Sequence, residues 1–226
     1  MKVLTITDVH NRSPVSHWRD AVRLIAAASY DVLVLGGDTH DTNGTPEPCF
    51  LDQIARVARN REVWVLDGNH DPQSAFWARN VGCRVASLYL GEDGGRRFVV
   101  THGHCDPITR APWDSYLYGS KYHLTAFANW CETGVAFCGD WGQRLAIGAH
   151  HLRKYLCDVK SQVREAALAF GQHHGLDTVL CGHSHLPEFY GFLGRVPRYV
   201  NVGSWAEPRM TYGLTENGMT QLIDYR

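Results

Sequence analysis

Long apolar runs, paired cysteines and an imbalance of charge are all missing from this sequence, and each absence removes a class of function. No stretch approaches the roughly 20 consecutive apolar residues that a membrane-spanning helix needs, so only peripheral membrane contact stays open. Residues 1–7 turn polar too quickly for an export signal, and a cytoplasmic protein is expected. None of the 7 cysteines stands in a C-x-x-C pair. That removes zinc ribbons and dithiol redox motifs and suits reduced thiols. A formal net charge of −1 carries no strong nucleic-acid signal. There is no internal repeat and no low-complexity linker, so the 226 residues are read as one α/β domain.

What the sequence does have is 13 histidines, and their positions matter more than their number. Short β-rich runs at 2–7, 32–35, 63–66, 97–101 and 178–181 are predicted strands. Apolar residues at helical spacing (Trp18, Ala21, Val22, Ile25, Ala28, then Phe50, Ile54, Val57) predict two helices among the first strands. Residues 84–90 and 97–101 flank a Gly-rich turn and predict a hairpin, and 162–174 reads as a further helix. The stretch 105–160 breaks the alternation. It is aromatic, with Trp113, Tyr116, Tyr118, Trp130 and Trp141 among others, and is read as a helical cap inserted in the core. Arg110, Lys121, Arg144, Arg153 and Lys154 within it are candidates to meet anionic groups. Beyond 185, the runs at 199–202, 210–214 and 220–225 are read as antiparallel strands.

Each of the five strands ends in a polar cluster, and in open α/β sheets ligands bind at that edge. The candidate metal ligands are Asp8, His10, Asp38, Asn69, His102, His183 and His185. Oxygen and imidazole donors suit Mn, Fe, Zn or Ni rather than thiolate-loving ions. Seven donors exceed what one ion needs, and they suit two ions sharing a carboxylate. The D-x-H and H-x-H spacings are explained if alternate side chains at a strand end point the same way. Two divalent ions, two carboxylates and one hydroxide leave a single positive charge, which attracts a phosphate ester. Paired ions roughly 3.5–4 Å apart lower the pKa of bound water to about 7 and clamp the attacking and leaving oxygens. Arg12 is either a phosphate contact, since guanidinium forks match phosphate oxygens, or a solvated loop residue. His104 and Cys105 either line the pocket or pack. His17, His40, His173 and His174 are read as non-ligands.

Asp8-Val9-His10, Gly37-Asp38-Thr39-His40-Asp41, Gly68-Asn69-His70-Asp71, His102-Gly103 and Gly182-His183-Ser184-His185 together resemble the calcineurin-like metallophosphoesterase superfamily. The resemblance runs from Asp8 to His185. It implies a β-sandwich flanked by helices, an α/β fold in which Asp8, His10 and His185 bind one ion. Asn69, His102 and His183 would bind the other, and Asp38 would bridge them. His70 would be catalytic, contacting the phosphate or protonating the leaving group, with Asp71 orienting it. Asn69 and His70 would face the substrate, joined by Arg12 if its guanidinium meets the phosphate, and Asp41 is expected to order its loop.

A narrower resemblance, to the UDP-2,3-diacylglucosamine pyrophosphatase group, is carried by the insertion, by Gly182-His183-Ser184-His185-Leu186-Pro187, and by Tyr199-Val200-Asn201-Val202-Gly203-Ser204-Trp205. It implies Mn and a UDP-sugar-lipid-like substrate, although that group usually has Arg where this chain has His70 and Asp where it has His104. The expectation is a binuclear metal-dependent phosphoesterase, hydrolysing a phosphoester or pyrophosphate of a small molecule or lipid by attack of a metal-bound hydroxide. The alternatives are a nucleotide or nucleic-acid phosphodiesterase, and a metal-bound interaction module without catalysis.

Overall fold

The computed structural model describes residues 1–11, 13, 16–40, 46–71, 74–114, 142, 148, 154–155, 158–191 and 197–226. Strand β1 (Lys2–Ile6) leads into α1 (Trp18–Ala27), β2 (Val32–Leu35), α2 (Pro48–Ala58), β3 (Glu62–Leu66), α3 (Ser74–Val81) and β4 (Arg84–Ala86). The chain continues through β5 (Leu88–Asp93), β6 (Arg96–Thr101), α4 (Val159–His173), β7 (Thr178–Cys181), β8 (Glu188–Tyr190), β9 (Arg198–Asn201), β10 (Thr211–Glu216) and β11 (Met219–Asp224). Among the described residues these strands form two sheets, ordered β11-β10-β1-β2-β3-β4 and β5-β6-β7-β9-β8.

The pleat explains how the layers stack. Along β2, Leu33 and Leu35 face α1, α2 and α3, while Val32 and Val34 face the second sheet. The middle layer joins Val3, Val32, Val34 and Leu66 of the first sheet to Phe98, Val100, Leu180 and Val200 of the second. On the outer face of the second sheet, Val99, Val179 and Tyr199 pack on Val159, Val163, Ala167 and Phe170 of α4. Strands buried on both faces are the reason β2 and β7 read as continuous apolar runs.

Two expectations are corrected here. The run predicted over 84–90 is broken at Ser87, where the chain leaves the first sheet as β4 and enters the second as β5. The hairpin itself is present: β5 and β6 pair antiparallel through Gly94-Gly95, both at positive φ as a tight hairpin turn needs. The strand at 198–201 is not purely antiparallel. It runs parallel to β7 and antiparallel to β8, because covering both faces of the second sheet lets a crossover strand join it.

Most of the stretch 105–160, including Tyr116, Tyr118, Trp130, Trp141, Lys121, Arg144 and Arg153, lies outside the described residues, as do Arg12 and Asp41. Trp113 is described and is buried in the core beneath α4, 5.8 Å from Phe170. Arg110 pairs with Asp67 at 3.0 Å. Among the described residues no helix is long and apolar enough to cross a membrane.

Trp205, fully buried after β9, ties this frame to the strand ends. Its indole N–H donates to the Thr211 carbonyl at 2.9 Å, and its backbone N–H donates to the Asp8 carbonyl at 3.0 Å. Trp205→Ala should cost about 3–5 kcal/mol of stability, read as a lower urea midpoint at unchanged slope.

Candidate metal centre

The carboxyl ends of β1, β2 and β3 in one sheet meet those of β6 and β7 in the other. Beyond the strands, the loops after β1 and β2 stay zipped together: Asp8 N–H donates to Gly37 C=O at 3.0 Å, and His10 N–H to Asp38 C=O at 2.9 Å. The loops after β6 and β7 are joined in the same way, Gly182 N–H donating to His102 C=O at 3.0 Å. Between the sheets, His183 N–H donates to both Asp8 carboxylate oxygens at 3.1–3.2 Å. The segment after β9 locks the junction. The Asn201 amide donates to Gly182 C=O at 2.6 Å and to Ser184 Oγ at 3.0 Å, while Ser204 Oγ donates to Asp8 C=O at 3.1 Å.

The sequence explanation of the D-x-H and H-x-H spacings is wrong in its geometry. Asp8, His10, Asp38, His183 and His185 are not on extended backbone; their φ values are 46–61°. They are five of the eight described non-glycine residues at positive φ, a conformation that costs of order 1–3 kcal/mol and persists only where its surroundings over-determine it. Left-handed residues two apart turn the backbone so that each ligand aims inward.

The donors fall into two groups of three, Asp8/His10/His185 and Asp38/His102/His183, each with one ligand atom per residue within 4.8 Å of the others. In the first group His185 Nε2 lies 3.1 Å from Asp8 Oδ1 and 3.4 Å from His10 Nε2. In the second His102 Nε2 lies 3.2 Å from Asp38 Oδ2 and 3.0 Å from Asn69 Oδ1, which brings Asn69 to the group. Asp38 Oδ2 is also 4.0 Å from His10 Nε2, so this oxygen stands between the groups. Its other oxygen accepts the His70 backbone N–H at 2.8 Å. The His70 ring stands edge-on to His10, with centroids 5.3 Å apart.

Outer contacts set the imidazole tautomers. His102 Nδ1–H donates to Gly36 C=O at 3.2 Å, which puts the lone pair on Nε2. Glu207 Oε1, 3.1 Å from His185 Nδ1, does the same for His185. Asp114 Oδ2, 2.6 Å from His183 Nε2, puts the lone pair on Nδ1. Glu207 and Asp114 were not anticipated: they are ordinary charged residues in loops, and no motif spacing marks them. Lys154, a candidate for anionic groups, instead donates Nζ–H to the His183 carbonyl.

Asp71 differs from its expected position. Its carboxylate accepts the Thr39 N–H at 2.9 Å, the His40 N–H at 3.1 Å and His40 Nδ1 at 3.2 Å. It therefore holds the loop that carries Asp38 rather than orienting His70. That is the loop-ordering work expected of Asp41. His104 is beside the centre, its ring 5.3 Å from that of His102, and Nε2 is 3.1 Å from Cys105 Sγ.

The electrostatics fit cation binding. Burial alone would raise the carboxyls of Asp8 and Asp38, yet the histidines around them outweigh it and hold both below the usual carboxylate range. Burial would also lower His102, but Asp38 and Asp8 raise it to about 9. Burial, helped by the charge of His102, pushes His183 down to about 4 despite Asp114. A divalent ion needs the His102 lone pair and so displaces its proton on binding. Buried carboxylates, converging imidazole nitrogens and oriented outer partners are together the donor set of a divalent-metal site.

The sequence matches the model of the calcineurin-like phosphoesterase family over residues 1–187. The chain belongs to this family. Among solved structures it is similar to YfcE, a phosphoesterase from E. coli, at 16% identity and TM-score 0.54, covering 99% of this chain and 92% of that one. It is also similar to an archaeal phosphodiesterase, at 15% identity and TM-score 0.52 with both chains fully covered. A double mutant of Vps29 from Entamoeba histolytica aligns at 16% identity and TM-score 0.50, again over both whole chains. No curated protein matches the chain in sequence. At these identities the structural likeness speaks for the fold alone, whereas the family rests on the sequence match.

The centre tolerates no side chain at Gly182: a Cβ there would lie 2.0 Å from Asp8 Oδ2 and 2.7 Å from Thr7 Cβ. Gly182→Ala should therefore displace Asp8 and lower metal content, while a Gly148→Ala control, with open space around its Cβ and no positive φ, should not. Elemental analysis of the two purified variants checks this.

Proposed function

We propose that this phosphoesterase is a binuclear metal-dependent hydrolase of a phosphoester or pyrophosphate bond. The observation that carries the reading is the position of Asp38 Oδ2 between two three-residue donor groups, within 3.2 Å of His102 and 4.0 Å of His10. A single carboxylate facing both groups suits a shared ligand. Asp8, His10 and His185 would hold one ion, and Asn69, His102 and His183 the other. When bound, two such ions supply an acidified water and neutralise phosphate charge. Mn is the ion that the narrower resemblance implies, and the oxygen and imidazole donors suit Fe, Zn or Ni as well.

The chain's own residues would do the rest. Asp38 fixes the spacing of the groups, and through Oδ1 it anchors the backbone of His70. His70, half-buried beside His10, faces the centre without belonging to either donor group. We assign it the proton for the leaving oxygen, or a hydrogen bond to the phosphate. Arg12 follows the first ligands in the chain and is kept as a phosphate contact, and the stretch 105–160 as a substrate-selecting cap. Asp71 acts at one remove, by holding the Asp38 loop. The free thiols Cys49, Cys83, Cys105 and Cys181 suit a reducing, cytoplasmic setting.

The substrate class follows less directly. A UDP-sugar-lipid-like pyrophosphate and a nucleotide or nucleic-acid diester are the two candidates, and activity on matched chromogenic monoesters and diesters separates them from a simple phosphatase. Metal uptake without turnover on any of these would instead favour a metal-bound interaction module.

The expected result is two Mn ions per active chain and loss of hydrolysis on chelation. Asp38→Asn should lower metal content and abolish turnover. One ion, or none, in active metal-supplemented protein overturns the binuclear reading. His70→Ala should retain metal and lose roughly 10²–10⁴-fold in turnover, with the larger loss on esters of poor leaving groups. Equal losses on good and poor leaving groups would reduce His70 to a phosphate contact.

A further inference from the structure

Two residues from the chain between β6 and α4 converge on one donor. Asp114, near the start of that segment, places Oδ2 2.6 Å from His183 Nε2. Lys154, near its end, donates Nζ–H to the His183 carbonyl. All three residues are at least nine-tenths buried. The remaining backbone group of His183, its N–H, is held by the Asp8 carboxylate. Both backbone groups and one ring nitrogen of His183 are thus gripped at a left-handed position, φ 61°. The companion histidine is held from elsewhere. His185 Nδ1 meets Glu207, which lies on the C-terminal loop that also carries Ser204 and Trp205.

We infer that Asp114 and Lys154 are positioning residues for His183, which makes the donor group containing Asp38, Asn69, His102 and His183 dependent on the segment between β6 and α4. The group containing Asp8, His10 and His185 depends instead on Glu207. This rests on the binuclear reading above. The physical reason is that an imidazole ligates through one nitrogen only if the other keeps its proton, and a carboxylate acceptor enforces that choice. Without Asp114 the ring of His183 can hold its proton on Nδ1, the atom that would face the ion. Without Lys154 the strained peptide loses the donor that satisfies its buried carbonyl. Whatever the segment binds can then alter one ion's affinity more than the other's, the coupling that is left running through Asp8, which accepts the His183 N–H, and through the shared Asp38.

Calorimetric Mn titration of the metal-free full chain tests the asymmetry. Asp114→Ala should weaken one of two binding steps about 10–100-fold, the usual loss for an outer partner of a metal ligand, and affect the other step much less. Asp114→Asn keeps an acceptor for Nε2–H and should recover most of the affinity. Glu207→Gln should spare the step that Asp114→Ala weakens. Lys154→Met should weaken the same step as Asp114→Ala. The less affected step reports that each variant has folded. A second readout needs no metal: histidine ring ¹⁵N–¹H spectra of the metal-free protein should show His183 as the Nε2–H tautomer, lost in Asp114→Ala. The inference is overturned if Asp114→Ala weakens both steps alike or neither, or if wild-type His183 carries its proton on Nδ1. A wild-type protein that takes up a single ion would instead sink the binuclear reading, and the tautomer would still decide the role of Asp114.

Discussion

Two buried carboxylates hold the centre together, and much of the molecule is arranged around their charge. Asp8 lies in the loop just after β1 of one sheet, and its oxygens accept the backbone N–H of His183 from beyond β7 of the other. Asp38, from the loop after the neighbouring β2, lies 3.2 Å from His102, just beyond β6 of the opposite sheet. Both are almost fully inaccessible to water. An ionised carboxylate is tolerated there only with partners, because desolvating it unpaired costs several kcal/mol. The histidines supply those partners. The edge where the sheets meet is therefore both the structural seam and the chemical centre.

Local strain is concentrated at the same seam. Five candidate ligands sit at positive φ, and Gly68 and Gly182 admit the carboxylates so closely that a Cβ would come within 2.2 Å and 2.0 Å of Asp38 and Asp8 oxygens. The apolar layers on either side offset that strain, with Leu4, Ile6, Leu33, Leu35, Leu180 and Val200 fully buried beneath the loops. Rigid strands carry a bent, tightly packed rim, a common arrangement where function demands geometry that the backbone resists. A metal site gains from this rigidity, since its donors must converge without rearranging.

The two donor groups look alike in composition and differ in support. One leans on Glu207 after β9, the other on Asp114 and Lys154 between β6 and α4. With these, four carboxylates and a lysine surround the centre, so the simple charge count drawn from the ligands alone was incomplete. Lys154, lowered to about 8 by burial against the pull of Asp8 and Asp38, brings back a positive charge beside His183. Arg110, another cation considered for anionic groups, is turned outward to Asp67.

What the sequence alone determined was the place of most strands along the chain, the apolar faces that bury them and the candidate donors beyond their ends, with β4 and β5 read as one run and β8 not read. These are local quantities: a run such as Val32–Leu35 encodes its own burial, and Asp8, His10, Asp38, Asn69, His102, His183 and His185 follow their strands at short, readable intervals. The switch of sheet at Ser87, the parallel placement of β9 and the left-handed backbone of the ligands were decided by packing between distant segments. So was the work of Asp71, which serves Thr39 and His40 rather than its neighbour His70. Asp114 and Glu207 meet their histidines across 69 and 22 residues of chain. A hydrogen bond spanning such a separation leaves no periodicity in the sequence, and only the folded chain brings its two ends together.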